Sequence, residues 1–567
     1  MKLETYKQGK IPTSTANRMW LLHGTGFESF GHNDAPETCE MPKFGPDEIL
    51  VRHDAVGLCG ADVKLIRLGQ QHPRITADLS KEPVAVGHEV ALTVVGVGAN
   101  IQDRFKIGDR FIVQPDIYKG GVGYGYGFAL HGGLSQYAVL DDRVLAGDAG
   151  CYLLPIQPAI GYAESAIIEA LTAVVAAYRL KFRSTLKPEG VTWIIGSARA
   201  KEGYIIRKGF DEHSHPARLI LSNVPQSFAS WLRQRAKQLG IQVADLVGLD
   251  QRPTEPVDDL VILGADPELI ENALPALAFN GVLTVMDTEP LPRKVKVGMG
   301  RVHYDRWVLG GTTSLDISEA YIHPLTRSNL KPAGRAWFVG SGGPIGRTHV
   351  QSALAASNGP KTILCTDLSE ERIQVMRQSY TAEAKEKGVE FICMTPDDPA
   401  YDQKLQELAR DGFDDIMVCA PSTDAIAEAF NLLAPQGVIN IFAGVAKDAL
   451  VEIDLSSAWL KGTRTIGFSG STVEDMRKTL ELIETGEFEP ARLVMAVGSI
   501  EAAKEGLQAV MKSVYPGKIV IYNHIKNFPL TPIRQMKDRL PSVAAKLKNG
   551  IEWTREAEEE FLKLLLA

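Results

Sequence analysis

The chain has 567 residues, of which 45% are hydrophobic and 23% charged, and carries a net charge of −8. That length allows about three to four domains, and the composition is that of a globular enzyme. The acidic balance, with no basic stripe, argues against nonspecific nucleic-acid binding. The N-terminus lacks a signal-peptide core and no apolar run approaches the ~18 residues of a membrane span, so a soluble, cytoplasmic protein with no membrane partner is expected. Six cysteines (Cys39, Cys59, Cys151, Cys365, Cys393 and Cys419) show no CxxC and read as reduced thiols.

Residues 1 to about 160 are mostly β. Glu48–Ala55, His88–Val97 and Arg110–Gln114 are short runs rich in Val, Ile and Phe, punctuated by Gly, Pro and Asp. Tyr118–Gly133 is too glycine-rich for regular structure. It reads either as a mobile wall of a site or as a loop packed on its own aromatics. Tyr162–Leu180 is a helix of small and apolar residues with Glu169 inside it. A carboxylate there is costly without a positive partner.

From about residue 190, strands and helices alternate, twice. Val191–Ser197 matches Arg335–Ser341, and Ala217–Asn223 matches Lys361–Asp367, at one offset of 144 (335 − 191). Asp258–Val285 mirrors Asp414–Ile441, and Arg306–Ser314 mirrors Arg464–Thr472. Four blocks in matched order imply two tandem α/β folds of one design.

The copies differ at the first turn. Copy two reads strand, Gly340-Ser341-Gly342-Gly343-Pro344-Ile345-Gly346, helix, strand, Asp367, which is a dinucleotide fingerprint in its proper context. Glycines let the backbone approach a pyrophosphate at a helix N-terminus, and Asp367 suits a ribose diol while repelling a 2′-phosphate. This turn with Asp367 and Arg372 is the candidate site for NAD, with NADP disfavoured. Copy one has Gly196-Ser197-Ala198-Arg199-Ala200-Lys201-Glu202-Gly203, and Asn223 in place of the acid. It is read as having lost dinucleotide binding. Beyond residue 525 come two short amphipathic helices, the second capped by Thr554.

Cys59, His88, Glu89 and Glu169 form the chemical constellation. Singly, each has a bland reading: a small buried hydrophobe, a strand-start pair, a solvated helix face. Together they suit a catalytic zinc with an open position. The motifs VGLCGADVK, GHEVALTVVGVG, KIGDRF, IEALTAVVAAY and VGSGGPIG…TDLSEER resemble the zinc-dependent medium-chain dehydrogenase/reductase superfamily, nearest its sorbitol dehydrogenases and sorbose-1-phosphate reductases. The resemblance covers about 1–185 and 331–525.

It implies an α/β chain with a GroES-like catalytic domain (1–185), a degenerate Rossmann-like repeat (186–330), an NAD-binding Rossmann domain (331–525) and a helical extension (526–567). It further implies Cys59, His88 and Glu169 as ligands of one catalytic zinc, with Glu89 as an adjacent acid that ligates directly or through water. No cysteine lies in Gln114–Tyr137, so no structural zinc is expected. Where many members carry a Ser or Thr relay, this chain has Ala61.

The implied reaction moves a hydride between NAD(H) and a polyol, sugar or sugar phosphate, with zinc and cofactor meeting in an interdomain cleft. The alternative is a sugar epimerase or lyase that recycles bound NAD. Lys64, His72, Gln114, Tyr118 and His131 are substrate-side candidates by loop proximity alone. Because the superfamily commonly dimerises through edge strands, copy one is expected to take the partner's place in a pseudo-dimer within one chain, leaving a monomer or a further homo-oligomer. A lid or an effector-binding role is the other reading of copy one.

Overall fold

The computed structural model describes residues 3–11, 16–248, 251–321 and 326–566. These form two compact units, one of 1–176 with 470–567 and one of 177–469. No helix among the described residues is long and apolar enough to cross a membrane.

The first unit is built on an eight-stranded sheet. Its central strand, Ile49–Leu58, is buried along its whole length. It pairs antiparallel with Glu89–Val97 on one side and Lys518–Tyr522 on the other. Lys518–Tyr522 in turn runs parallel to Val494–Ser499. Residues 470–525, expected with the cofactor domain, thus belong to the first unit. The physical reason lies in the sheet: these two strands are apolar on both faces and complete the catalytic sheet.

The C-terminal extension also packs on this unit. Trp553, Phe561 and Leu562 are buried in a core shared with Tyr162 and Tyr522. Thr554 caps the helix Arg555–Leu565 by accepting from Ala557 N at 3.0 Å. In the glycine-rich loop Tyr126 and Phe128 are buried, so the loop is packed on its aromatics.

The second unit carries one continuous twelve-stranded sheet. Copy one contributes, in spatial order, Gln242–Asp245, Arg218–Ser222, Val191–Gly196, Val257–Leu263, Leu277–Met286 and Val308–Thr312. Copy two contributes Arg464–Gly467, Leu433–Ile441, Phe413–Val418, Arg335–Val339, Thr362–Thr366 and Glu390–Met394. Each half is parallel with strand order 3-2-1-4-5-6, the doubly wound arrangement.

The halves join edge to edge. Leu309 pairs antiparallel with Thr465, and outside the main sheet Lys296 pairs antiparallel with Glu452. Val282 neighbours Val308 in copy one as Val438 neighbours Arg464 in copy two, an offset of 156 (464 − 308). At that offset both seam pairs join a residue to its own counterpart, as a local two-fold axis requires. The sequence match of Arg306 with Arg464 is therefore two residues out of register; Val308 is the counterpart of Arg464. The expected seam between these late strands is present, and it covers two edges that would otherwise invite pairing.

The duplication extends to a buried anchor. Arg183 donates to both oxygens of Asp259 at 2.8 Å, and Lys187 N–H donates to Asp259 at 2.8 Å. In copy two Arg327 binds Asp415, and Lys331 N–H donates to it at 2.7 Å.

Candidate metal and cofactor sites

Strand register assembles the first cluster. Cys59 follows the last residue of Ile49–Leu58, Glu89 opens Glu89–Val97 opposite Gly57, and Lys518 opens the strand in which Ile519 faces Leu58. A Cβ at Gly57 would lie 2.4 Å from Glu89 Oε2, so glycine there makes room for the carboxylate. One ligand atom from each of Cys59, His88 and Glu89 lies within 4.8 Å of the others. Glu169, in the first turn of Ile168–Ala177, brings Oε2 to 3.9 Å from His88 Nε2.

Neighbours orient this set. Asp62, in the helix Gly60–Leu68 that Cys59 caps, accepts from Cys59 N at 3.0 Å through Oδ2 and faces His88 Nδ1 at 2.9 Å through Oδ1. His88 therefore keeps a proton on Nδ1, and Nε2 is the nitrogen left for a cation, which would displace the proton there. Burial opposes a charge on His88, but Asp62 outweighs it and holds the imidazole well above its usual pKa. Buried Lys518 donates to Glu89 Oε1 at 2.5 Å. Glu89 Oε2 is buried with no hydrogen-bond partner among the described residues. Burial pushes Glu169 up to about 7, against the pull of His88 and with the repulsion of Glu89.

A thiol, an imidazole nitrogen and an orphaned carboxylate oxygen converging in this way fit a divalent cation of zinc type. Asp62 and Lys518 are functional neighbours that the sequence reading missed. Asp62 was legible in principle, as the acid three residues after Cys59; Lys518 had no local signal.

The substrate-side candidates divide. His72 is buried, stacks on Phe128 at 5.3 Å, and Phe128 lies 5.8 Å from the His88 ring. Burial, with Lys64 and Arg74 nearby, draws His72 down to about 4. Gln114 is occupied, donating to Ser471 O at 2.9 Å and accepting from Asp116 N at 2.7 Å. Tyr118 and Lys64 are exposed, and His131 Nδ1 accepts from Ala85 N at 3.2 Å. Ala61 sits on the first turn of the helix after Cys59 and packs on the core.

The glycine turn of copy two lies between Arg335–Val339 and the helix Pro344–Ala355. Its glycines have separate reasons. Gly340 has φ +73°, and a Cβ at Gly346 would meet Ser341 Cα at 2.5 Å. A Cβ at Gly342 would meet Arg372 and Asp367, whereas one at Gly343 meets nothing within 4 Å. Gly343 is thus the open lip of a helix N-terminus with no side-chain cap, and Pro344 opens the helix before Ile345. Asp367 is buried, accepts from Gly342 N at 3.0 Å and Ser369 N at 3.1 Å, and has Arg372 Nη1 at 3.8 Å.

In copy one no helix follows the turn before Arg218–Ser222. Arg199 folds back to Ala265 O and stands 3.3 Å from Asp287, and Lys201 reaches Thr288. The chain's own side chains fill that mouth.

The profile of the alcohol dehydrogenase GroES-like domain matches residues 45–147, and that of the zinc-binding dehydrogenase matches 344–485. Both profiles describe domains of the zinc-binding medium-chain alcohol and polyol dehydrogenases, and the chain is similar to that superfamily in both regions. Within that superfamily it is 23% identical to the mannitol-1-phosphate 5-dehydrogenase of Aliivibrio fischeri over 544 residues, 93% of this chain and 94% of that protein. It is 22% identical to the L-sorbose 1-phosphate reductase of Klebsiella pneumoniae over 549 residues, covering 95% and 97%. Against the sorbitol dehydrogenase of Bombyx mori the identity is 37%, over 102 residues, 18% of this chain and 26% of that one. The two long matches are too extended to omit the residues of copy one. The β-rich first unit and the Rossmann-type sheet are the fold of the superfamily.

Proposed function

We propose that the protein is an NAD-dependent dehydrogenase or reductase of a polyol, sugar or sugar phosphate, with one catalytic zinc. The convergence of Cys59, His88 and the orphaned Glu89 oxygen within 4.8 Å carries this reading. Cys59, His88 and Glu169 would hold the zinc, with Glu89 beside them. When bound, zinc supplies Lewis-acid polarisation of the substrate's oxygen, and the nicotinamide exchanges the hydride.

The chain's own residues set up that chemistry. Asp62 fixes the His88 tautomer and aims Nε2 at the cluster. Lys518 neutralises one oxygen of Glu89 and leaves the other turned inward. Phe128, stacked on His72 and tilted against His88, walls one side of the site. Ala61 offers no hydroxyl, so the alcohol's proton leaves without a side-chain relay at this position. Asp367, held by two backbone amides, is placed for a ribose diol and disfavours a 2′-phosphate, which supports NAD over NADP. The sugar-phosphate reading draws on the relatives' names.

The test is a panel of polyols, ketoses and their phosphates followed by NADH absorbance, with metal analysis and chelator. Activity is expected with a member of this panel and lost on chelation. Cys59→Ser should lose the zinc and about three orders of magnitude in kcat/KM, since Lewis-acid stabilisation is worth several kcal/mol. Full activity and full zinc content in that variant would refute the assignment.

A further inference from the structure

Glu169 sits midway along a helical rod whose start is held from the far end of the chain. Tyr162–Ala166 runs through Ile167 into Ile168–Ala177, with Ile167 N–H bonded to Glu164 O, so the two helices act as one piece. The first of them packs on Ile49–Leu58 and Glu89–Val97, the strand that leads to Cys59 and the strand that Glu89 opens. A Cβ at Gly57 would meet Ile167 Cγ2 at 3.1 Å as well as Glu89, so the same glycine seats both the rod and the acid.

The start of the rod cannot cap itself. Gly161 has no side chain to offer, and Glu164 reaches back only to Gly161 N, at 2.8 Å. The next two amides, of Tyr162 and Ala163, donate to the carboxylate of Glu558 at 2.6 and 2.7 Å. Glu558 belongs to the C-terminal helix Arg555–Leu565, which lies beyond both matched profiles. Tyr522 Oη donates a third bond to it at 2.6 Å. A Cβ at Gly161 would stand 2.7 Å from Glu558 Oε2, so glycine there makes room for the carboxylate. Arg110 braces the same turn, donating to Ile160 O at 2.8 Å with its guanidinium over the Tyr162 ring.

Docking of the C-terminal helix does not require this acid. Trp553, Ala557, Phe561 and Leu562 already bury that helix in the core with Tyr162 and Tyr522. Glu558 is 3% exposed, and its three bonds come from neutral donors. Burial pushes its pKa up, and those bonds with the charge of Arg110 pull against that. A buried carboxylate is costly, and here the oriented amides at the positive end of the rod are what offset the cost.

We infer, on the reading of Glu169 as a zinc ligand, that Glu558 is a positioning residue for the metal cluster. By fixing the start of residues 162–177 it sets the reach of Glu169 Oε2 towards His88 Nε2, 3.9 Å away, and so the affinity of the cluster for zinc. Zinc–carboxylate bonds are short, about 2.0–2.2 Å, so a tilt of the rod is read as lost affinity.

The experiment is a double-mutant cycle on the full chain, with zinc affinity read by competition with a chelator of known strength. Glu558→Gln keeps the shape of the side chain but turns one acceptor into a donor facing backbone N–H groups. It should weaken zinc by about tenfold, as does loss of a partner behind a metal ligand. Glu169→Gln should weaken it further, and adding Glu558→Gln to that variant should cost nothing more, because the effect passes through the Glu169 carboxylate. Gly161→Ala, at an extended backbone position, leaves Glu558 in the chain but pushes its carboxylate aside, and should also weaken zinc. Tyr522→Phe keeps both backbone bonds and should lower Tm while leaving zinc affinity as in the parent chain.

Parental zinc affinity in Glu558→Gln and Gly161→Ala, beside a loss in Glu169→Gln, would overturn the inference and leave the ligand reading standing. So would equal losses from Glu558→Gln with and without Glu169→Gln, or a loss in Tyr522→Phe equal to that in Glu558→Gln, which would tie zinc affinity to stability alone. Parental zinc affinity in Glu169→Gln would remove the ligand reading and the inference together.

Discussion

Copy one and copy two of the doubly wound fold keep the same strand order, the same buried Arg–Asp anchor and the same Trp side chain bonded to a hydroxyl on the next strand, Trp193 to Ser222 and Trp337 to Thr366. They part at the first crossover. Copy two follows its glycine turn with a helix of 12 residues, whereas copy one has no helix there and closes the mouth with Arg199 and Lys201. What survived in both copies is what holds a sheet together and what makes a seam. What survived in one is the glycine turn and helix proposed to hold a dinucleotide. The difference separates residues kept for structure from residues kept for ligand.

The largest effects should fall on the shared features and be equal. Arg183→Ala and Arg327→Ala each strand a buried aspartate, and each should cost about 3 kcal/mol or more in denaturant unfolding. A large effect in one copy and none in the other would break the structural equivalence.

A second prediction concerns a difference between the copies. His349, on the helix that copy one lacks, is buried against Phe442, and burial draws it down to about 3. The unfolded chain binds the proton and the folded chain does not. Stability from neutral His349 is therefore present above pH 6.5 and lost as pH falls towards 3. Between pH 7 and pH 5 the loss is about 2 kcal/mol. His349→Gln should remove that share of the pH dependence; an unchanged profile would show that the imidazole does not stay neutral.

The smallest effect is the sharpest. Gly343→Leu finds open space and a backbone any residue adopts, so the fold should stand while NADH affinity falls by about tenfold. Ala198→Leu, in the turn of copy one, should leave NADH affinity unchanged.

Much of this comparison was legible in the sequence because repeats and glycine turns are local patterns. Cys59, His88 and Glu89 were legible for a related reason: each sits at a strand end, and adjacent antiparallel strands bring such ends together. Lys518 was not, since its role depends on a register between strands more than 400 residues apart, whereas Asp62 was signalled locally, three residues after Cys59. The return of Val494–Ser499 and Lys518–Tyr522 to the first sheet was hidden for a similar reason. An apolar strand does not declare which sheet it completes. The register of the seam was misread by two residues because Arg306 and Arg464 look like counterparts, while the ladder pairs Leu309 with Thr465.

The proposed function requires one working cofactor fold and one metal cluster in each chain. Equilibrium titration of the zinc-loaded full chain with NADH, read by calorimetry, tests it most directly. A single site per chain is predicted, weakened in Gly343→Leu and untouched in Ala198→Leu. Two sites per chain, or a single site that responds to Ala198→Leu and not to Gly343→Leu, would contradict it.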